Sequence, residues 1–164
     1  MSPLESLGRL DLTGCPVKSL EGLAPLRRLS FLQLSRTAVE DKELRSVMRL
    51  FSLDSLELNE TSVGDDGLVY LRRHPSLGNL ALDKTRVSDR GLKHLPRSRL
   101  REVHLRGTQV TEQGVRELRR KQPGLIIHSA FEQYTRPEPR KDEEEKGAWG
   151  YLSALKFLKL PKRE

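Results

Sequence analysis

Leu53-Asp-Ser-Leu-Glu-Leu-Asn-Glu-Thr-Ser-Val-Gly-Asp-Asp-Gly-Leu68 returns as Leu77-Gly-Asn-Leu-Ala-Leu-Asp-Lys-Thr-Arg-Val-Ser-Asp-Arg-Gly-Leu92, and again as Leu100-Arg-Glu-Val-His-Leu-Arg-Gly-Thr-Gln-Val-Thr-Glu-Gln-Gly-Val115. Working outward, Leu29, Leu32, Leu34, Thr37, Val39, Asp41 and Leu44 fit the same template one copy earlier. Leu7, Leu10, Leu12, Cys15, Val17 and Leu20 fit part of it before that. The first leucines fall at 7, 29, 53, 77 and 100, steps of 22, 24, 24 and 23. A fixed period of this size marks a solenoid, in which each unit buries its apolar face only against its neighbours.

Each copy reads as a short strand, a turn and a short helix. In the strand, alternation with period two sends Leu56 and Leu58 inward and Ser55, Glu57 and Asn59 outward. Ser88 and Thr111 are hydroxyl residues suited to N-capping, and a carboxylate follows each where it favours the helix dipole. Leu68 and Leu71, Leu92 and Leu95, and Val115 and Leu118 then recur at i, i+3, one apolar stripe on helices too short to stand alone. The column Cys15, Thr37, Thr61, Thr85, Thr108 lies just after each strand. Its hydroxyls are expected to bond a neighbouring repeat's backbone, and Cys15 is expected to be a small buried apolar residue rather than a reactive thiol.

The columns Leu-x-x-Leu-x-Leu-x-x-Thr-x-Val-x-Asp-x-Gly-Leu resemble the leucine-rich repeat from Leu7 to His128, in the cysteine-type subclass found in F-box substrate receptors. The resemblance implies an α/β leucine-rich-repeat solenoid with a parallel concave sheet and short convex helices, working by binding another protein. The first copy departs from it, since Lys18-Ser-Leu-Glu-Gly-Leu23 lacks the Asp-x-Gly element and resembles repeats of phosphatase-regulator type. No F-box precedes the repeats, so a ubiquitin-ligase role is not carried over.

Composition divides the chain into residues 1–130, five repeats with a closing strand, then a charged flexible linker at 131–147 and an amphipathic C-terminal helix at 148–160. Gln122-Pro-Gly-Leu-Ile-Ile-His128 supplies the closing strand. Thr135 to Gly147 is densely charged, punctuated by proline and without an apolar side chain of any size. Beyond it Trp149, Leu152, Leu155 and Leu158 recur every third residue with Tyr151 and Phe157 beside them. This helix has two readings: a cap over the last repeat, or a tethered element that docks its Trp149, Leu152, Leu155, Phe157 and Leu158 stripe into a partner's groove. The second is favoured for the acidic run before the helix and its leading tryptophan. Membrane-surface association ranks third. A single cysteine excludes an intramolecular disulfide and suggests a reducing compartment. With no secretory pattern at the start and no stretch of membrane-spanning length, a cytoplasmic or nuclear monomer is expected.

The candidate binding residues are the outward strand positions and the turns beside them: Arg9, Asp11, Phe31, Gln33, Arg36, Glu57, Asn59, Asn79, Asp83, His104 and Arg106. Phe31, beside Arg36, is the natural anchor. The alternative partner is nucleic acid or a phosphorylated or acidic protein, because residues 84–121 hold 12 Lys/Arg against 4 acids, a balance of +8, while residues 1–83 hold 10 against 12. Arg97, Arg99, Arg101, Arg106, Arg116, Arg119, Arg120 and Lys121 would carry that contact, though the interleaved aromatics of a single-strand binder are missing. Catalysis, cofactors and metals find no support. His74, His94, His104 and His128 are spread over different repeats, His74 and His94 near helix ends where a cation favours the dipole. Asp65-Asp66 reads as capping, and no phosphate loop, nucleophile elbow or Cys-x-x-Cys is present.

Overall fold

The computed structural model describes residues 6–97 and 99–131. The expected helix at 148–160, with Trp149, Leu152, Leu155, Phe157 and Leu158, lies outside the described residues, as does the linker of 131–147 beyond its first residue. That residue, Phe131, packs partly buried against the core.

Six strands form one parallel sheet in chain order: β1 (Arg9–Asp11), β2 (Phe31–Gln33), β3 (Ser55–Glu57), β4 (Asn79–Ala81), β5 (Glu102–His104) and β6 (Ile126–His128). Register follows the repeat, so Leu10, Leu32, Leu56, Leu80, Val103 and Ile127 align as one inward column. The ladder runs past each short strand. Leu34, Leu58, Leu82 and Leu105 donate their N–H to the next strand's last carbonyl at 2.9, 2.8, 3.0 and 2.7 Å. Two residues later the backbone turns through the left-handed region at Gly14, Arg36, Glu60, Lys84 and Gly107, with φ of 71, 57, 56, 56 and 69°. Here the four N–H groups of Gly14, Arg36, Glu60 and Lys84 still reach the neighbouring repeat's backbone.

This turn corrects the expected role of the threonine column. Thr37, Thr61, Thr85 and Thr108 donate to Leu34, Leu58, Leu82 and Leu105 carbonyls, each at 2.7 Å and three residues back in their own repeat. The left-handed residue folds the hydroxyl over its own strand end, so the bond closes the turn rather than joining two repeats. Cys15, in the same column, is exposed rather than buried. It sits beside β1, the edge of the described sheet, with a neighbour on one side only.

Joining the repeats falls to the aspartates. Asp41 accepts from the Gly64 N–H at 2.6 Å, Asp65 from the Ser88 N–H and hydroxyl at 2.7 and 2.6 Å, and Asp89 from the Thr111 N–H and hydroxyl at 2.9 and 2.6 Å. Each carboxylate therefore holds the next repeat's helix start, a larger task than capping its own. A glycine in the first turn of the next repeat's helix makes room for each carboxylate: a Cβ on Gly67 would lie 2.6 Å from the Asp41 carboxylate, and one on Gly91 or Gly114 would collide with Asp65 or Asp89. Where the first copy lacks the aspartate, the second has Glu43 in place of glycine, and Glu43 reaches back to accept the Leu20 N–H at 3.1 Å.

The helices on the opposite side of the core are α1 (Leu44–Val47), α2 (Asp65–Leu71), α3 (Asp89–Leu92) and α4 (Glu112–Lys121). The first repeat has only a 3-10 turn, Glu21–Leu23. Ser88 and Thr111 cap α3 and α4 by accepting the N–H of Arg90 and Gly114. Leu44, Leu68, Leu92 and Val115, with Val47, Leu71, Leu95 and Leu118, complete a continuous core with the strand leucines. Among the described residues no helix is long and apolar enough to cross a membrane.

Candidate interaction face

Parallel register turns the outward strand positions into rows across the sheet. One row runs Arg9, Phe31, Ser55, Asn79, Glu102, Ile126; the next runs Asp11, Gln33, Glu57, Ala81, His104, His128. Their side chains are half-buried or exposed, and Phe31 and Ile126 present large apolar surface to solvent. A third row, just beyond the strands, holds Thr13, Ser35, Asn59, Asp83 and Arg106. Ser35 is buried there, although the alternation that turns Asn59 outward assigns it the same side.

The expected site residues divide by what they touch. Asn59 Oδ1 accepts the Asp83 N–H at 2.8 Å, and Asp83 Oδ1 accepts the Arg106 N–H at 2.7 Å. These two side chains therefore extend the ladder where the chain leaves the sheet. Asp11 turns back on its own loop, accepting the Thr13 N–H at 2.9 Å, and hydrogen bonding from the Thr13 side chain, then its backbone, holds the carboxyl below its ordinary range. Asn79 donates to Asp54 at 3.2 Å, and Arg101 pairs with the same carboxylate at 3.0 Å. Gly78 leaves the space for that pair, since a Cβ there would lie 2.7 Å from Asp54 Oδ1.

At one end of the face, Arg9, Phe31, Gln33 and Glu57 form a connected group. The Arg9 guanidinium lies 5.6 Å over the Phe31 ring and donates to Gln33 at 3.4 Å, and Gln33 donates to Glu57 at 3.1 Å. The cation beside the aromatic is thus Arg9; Arg36, expected there, stands in the turn after β2, exposed and left-handed. Four basic side chains of residues 84–121 meet carboxylates. Lys84 pairs with Glu60, Arg101 with Asp54, Arg116 with Glu112 and Lys121 with Glu117.

At the other end the fold assembles what the sequence reading kept apart. His104 and His128 are 24 residues distant in sequence and directly paired across β5 and β6. Their rings stack at 4.3 Å and 23°, and both Nε2 atoms meet Glu102 Oε1, at 3.2 and 2.9 Å. The repeat register was the signal that could have found them, because His128 lies one period after His104. His74, expected as a cation near a helix end, is instead a core residue. It is 1% exposed, occupies the core column of Leu26 and Leu50, and places Nε2 3.3 Å from the Val47 carbonyl. Burial lowers its pKa, with the Val47 and Leu50 carbonyls pulling weakly the other way.

Comparison with known structures places this architecture. Internalin C2 from Listeria monocytogenes str. 4b F2365 matches with a TM-score of 0.63 and 27% identity, over 77% of this chain and 53% of its own. This chain therefore spans about half the length of that neighbour. A further internalin from the same strain matches with a TM-score of 0.41 and 17% identity, over 77% of this chain and 48% of its own. No family model and no curated protein matches the chain. The six-stranded parallel sheet with its period of about 24 residues is a leucine-rich-repeat solenoid.

Proposed function

We propose that this chain is a protein-interaction module that takes its partner on the outward face of the sheet, centred on Arg9, Phe31, Gln33 and Glu57. The observation that carries this reading is the Arg9–Phe31–Gln33–Glu57 group: an aromatic 43% exposed, held in place by a cation above it and a hydrogen-bonded row beside it. A rigid, exposed aromatic with its neighbours already ordered loses little side-chain entropy on binding, and such residues dominate interface energetics. The likeness to internalin C2, a leucine-rich-repeat protein, supports a repeat module for protein binding. Four of the basic side chains between residues 84 and 121 are already paired with carboxylates, which favours a protein over a polyanion as the partner.

The test is quantitative affinity purification with the full chain, a Phe31→Ser variant, a Glu57→Lys variant and a helix-side control, Arg72→Glu, at an exposed position after α2. Partners held by the sheet face are expected to fall at least about tenfold with either sheet variant, the loss of a buried anchor worth 2 kcal/mol or more. They should be retained by the control. Equal recovery with all four proteins would refute the assignment. A fifth protein ending at Phe131, which keeps the packed aromatic, reports whether the segment beyond holds partners of its own.

A further inference from the structure

We propose that Glu102, His104 and His128 form a binding site for a zinc-class divalent cation. The inference goes beyond partner binding and does not depend on it. The three side chains stand on the outward face of the last two strands, Glu102 and His104 two residues apart on β5 and His128 across from His104 on β6. Each offers one ligand atom, and those atoms all lie within 4.8 Å of one another.

The spacing fits tetrahedral coordination. Zinc binds imidazole nitrogen at about 2.0–2.1 Å, which sets neighbouring ligand atoms about 3.3 Å apart in a tetrahedral site. The Glu102 Oε1 atom already lies 3.2 Å from His104 Nε2 and 2.9 Å from His128 Nε2. The two carboxylate–imidazole spacings are thus close to those of a metal site, and the stacked rings, 4.3 Å apart, must turn toward each other to bring both Nε2 atoms onto one cation, a movement open to side chains that are about one-third exposed. The donor chemistry narrows the metal. Two imidazoles and one carboxylate suit zinc and its borderline neighbours, whereas calcium and magnesium require oxygen cages. Both imidazoles point the same nitrogen, Nε2, at the carboxylate; without metal each Nε2–H donates to Glu102, and a bound cation would take the place of those protons, leaving Nδ1 protonated as in a metal-bound histidine.

The surroundings leave room for a fourth ligand. On the β4 side of His104 stands Ala81, the smallest side chain of its row, and among the described residues no strand lies beyond β6. Water would take the open position, or a donor from a bound protein. Because the ligands come from two strands, the metal would also clamp β6 to the rest of the array, and binding to the folded form alone raises stability by mass action.

The experiment is calorimetric titration of zinc chloride alone into the full chain stripped with chelator, with thermal melting at each metal ratio. One equivalent is expected to bind saturably at micromolar or lower free zinc, accompanied by a rise in melting temperature. Calcium and magnesium should give neither. His104→Gln and His128→Gln should each weaken binding at least about tenfold, as losses within a metal site do. Cys15→Ser and His94→Gln, which alter the other accessible soft donors, should leave it unchanged. Glutamine keeps the polarity and approximate size of histidine, and circular dichroism checks each fold. If His128→Gln frays the last strand, His104→Gln, flanked by strands on both sides, carries the decision. Absence of saturable binding at millimolar zinc would overturn the site. So would binding that survives both histidine changes, or that disappears with Cys15→Ser.

Discussion

His74 carries the clearest electrostatic consequence of the fold at the scale of a single residue. It fills a leucine column of the core, and desolvation lowers its pKa below the ordinary 6.5. The folded protein therefore resists its protonation, while the unfolded chain takes up the proton in the usual range. With the folded pKa depressed for a base, stability is complete above about pH 7 and declines as pH falls through the unfolded value toward the folded one. Melting temperature measured from about pH 8 to about pH 5 should drop accordingly, and His74→Leu, which copies Leu50 one repeat earlier, should flatten that part of the profile. An unchanged slope in the variant would place the acid sensitivity elsewhere. Its place near a helix end suggested a cation; only the column, read at the period of 24, points to burial.

The elements are tied by a device spanning two repeats, which is why reading one helix at a time missed it. Sequence showed the Asp-x-Gly pattern and its place at a helix start, and the helix boundary at Ser88–Asp89 followed from capping. What a single copy cannot show is that the carboxylate serves the following helix and that the glycine vacates space for the preceding carboxylate. Asp89→Ala should cost about 2 kcal/mol by leaving the Thr111 N–H and hydroxyl without their acceptor. Gly114→Ala should cost a similar amount, since its methyl group meets Asp89. The double variant should be destabilised by clearly less than the sum, because the methyl group then occupies the space the carboxylate has left. Additive costs in denaturant melts would show that glycine is needed there for some other reason. The departures obey the same logic. The first copy has no such aspartate, the second repeat has Glu43 where later repeats need glycine, and Glu112, with no further repeat helix to serve among the described residues, pairs with Arg116 instead.

Across the whole molecule, the fold was legible because one pattern recurs and a parallel sheet in chain order is the simplest way to stack it. Strand positions, inward leucines and outward rows follow from that period, and the structure gives all six strands in the register the leucines imply. Less of the candidate site was legible. Whether Asn59 or Asp83 faces a partner or its own backbone depends on the left-handed turn after the strand. Likewise Arg9 rather than Arg36 meets Phe31 because the parallel register places Arg9 directly across from it, while Arg36 stands in the turn after the strand. Every functional statement rests on the same assignment of residues to the two faces of the sheet. A cysteine-accessibility scan tests it directly: in a Cys15→Ser background, single cysteines at 55, 56, 57, 79, 80, 81, 102, 103 and 104 are labelled with a small thiol reagent under native conditions. Positions 55, 57, 79, 81, 102 and 104 should react promptly, and 56, 80 and 103 only on unfolding, an alternation repeated in three consecutive strands. Uniform reactivity, or prompt labelling at 56, 80 and 103, would contradict the solenoid register and the interaction face built on it.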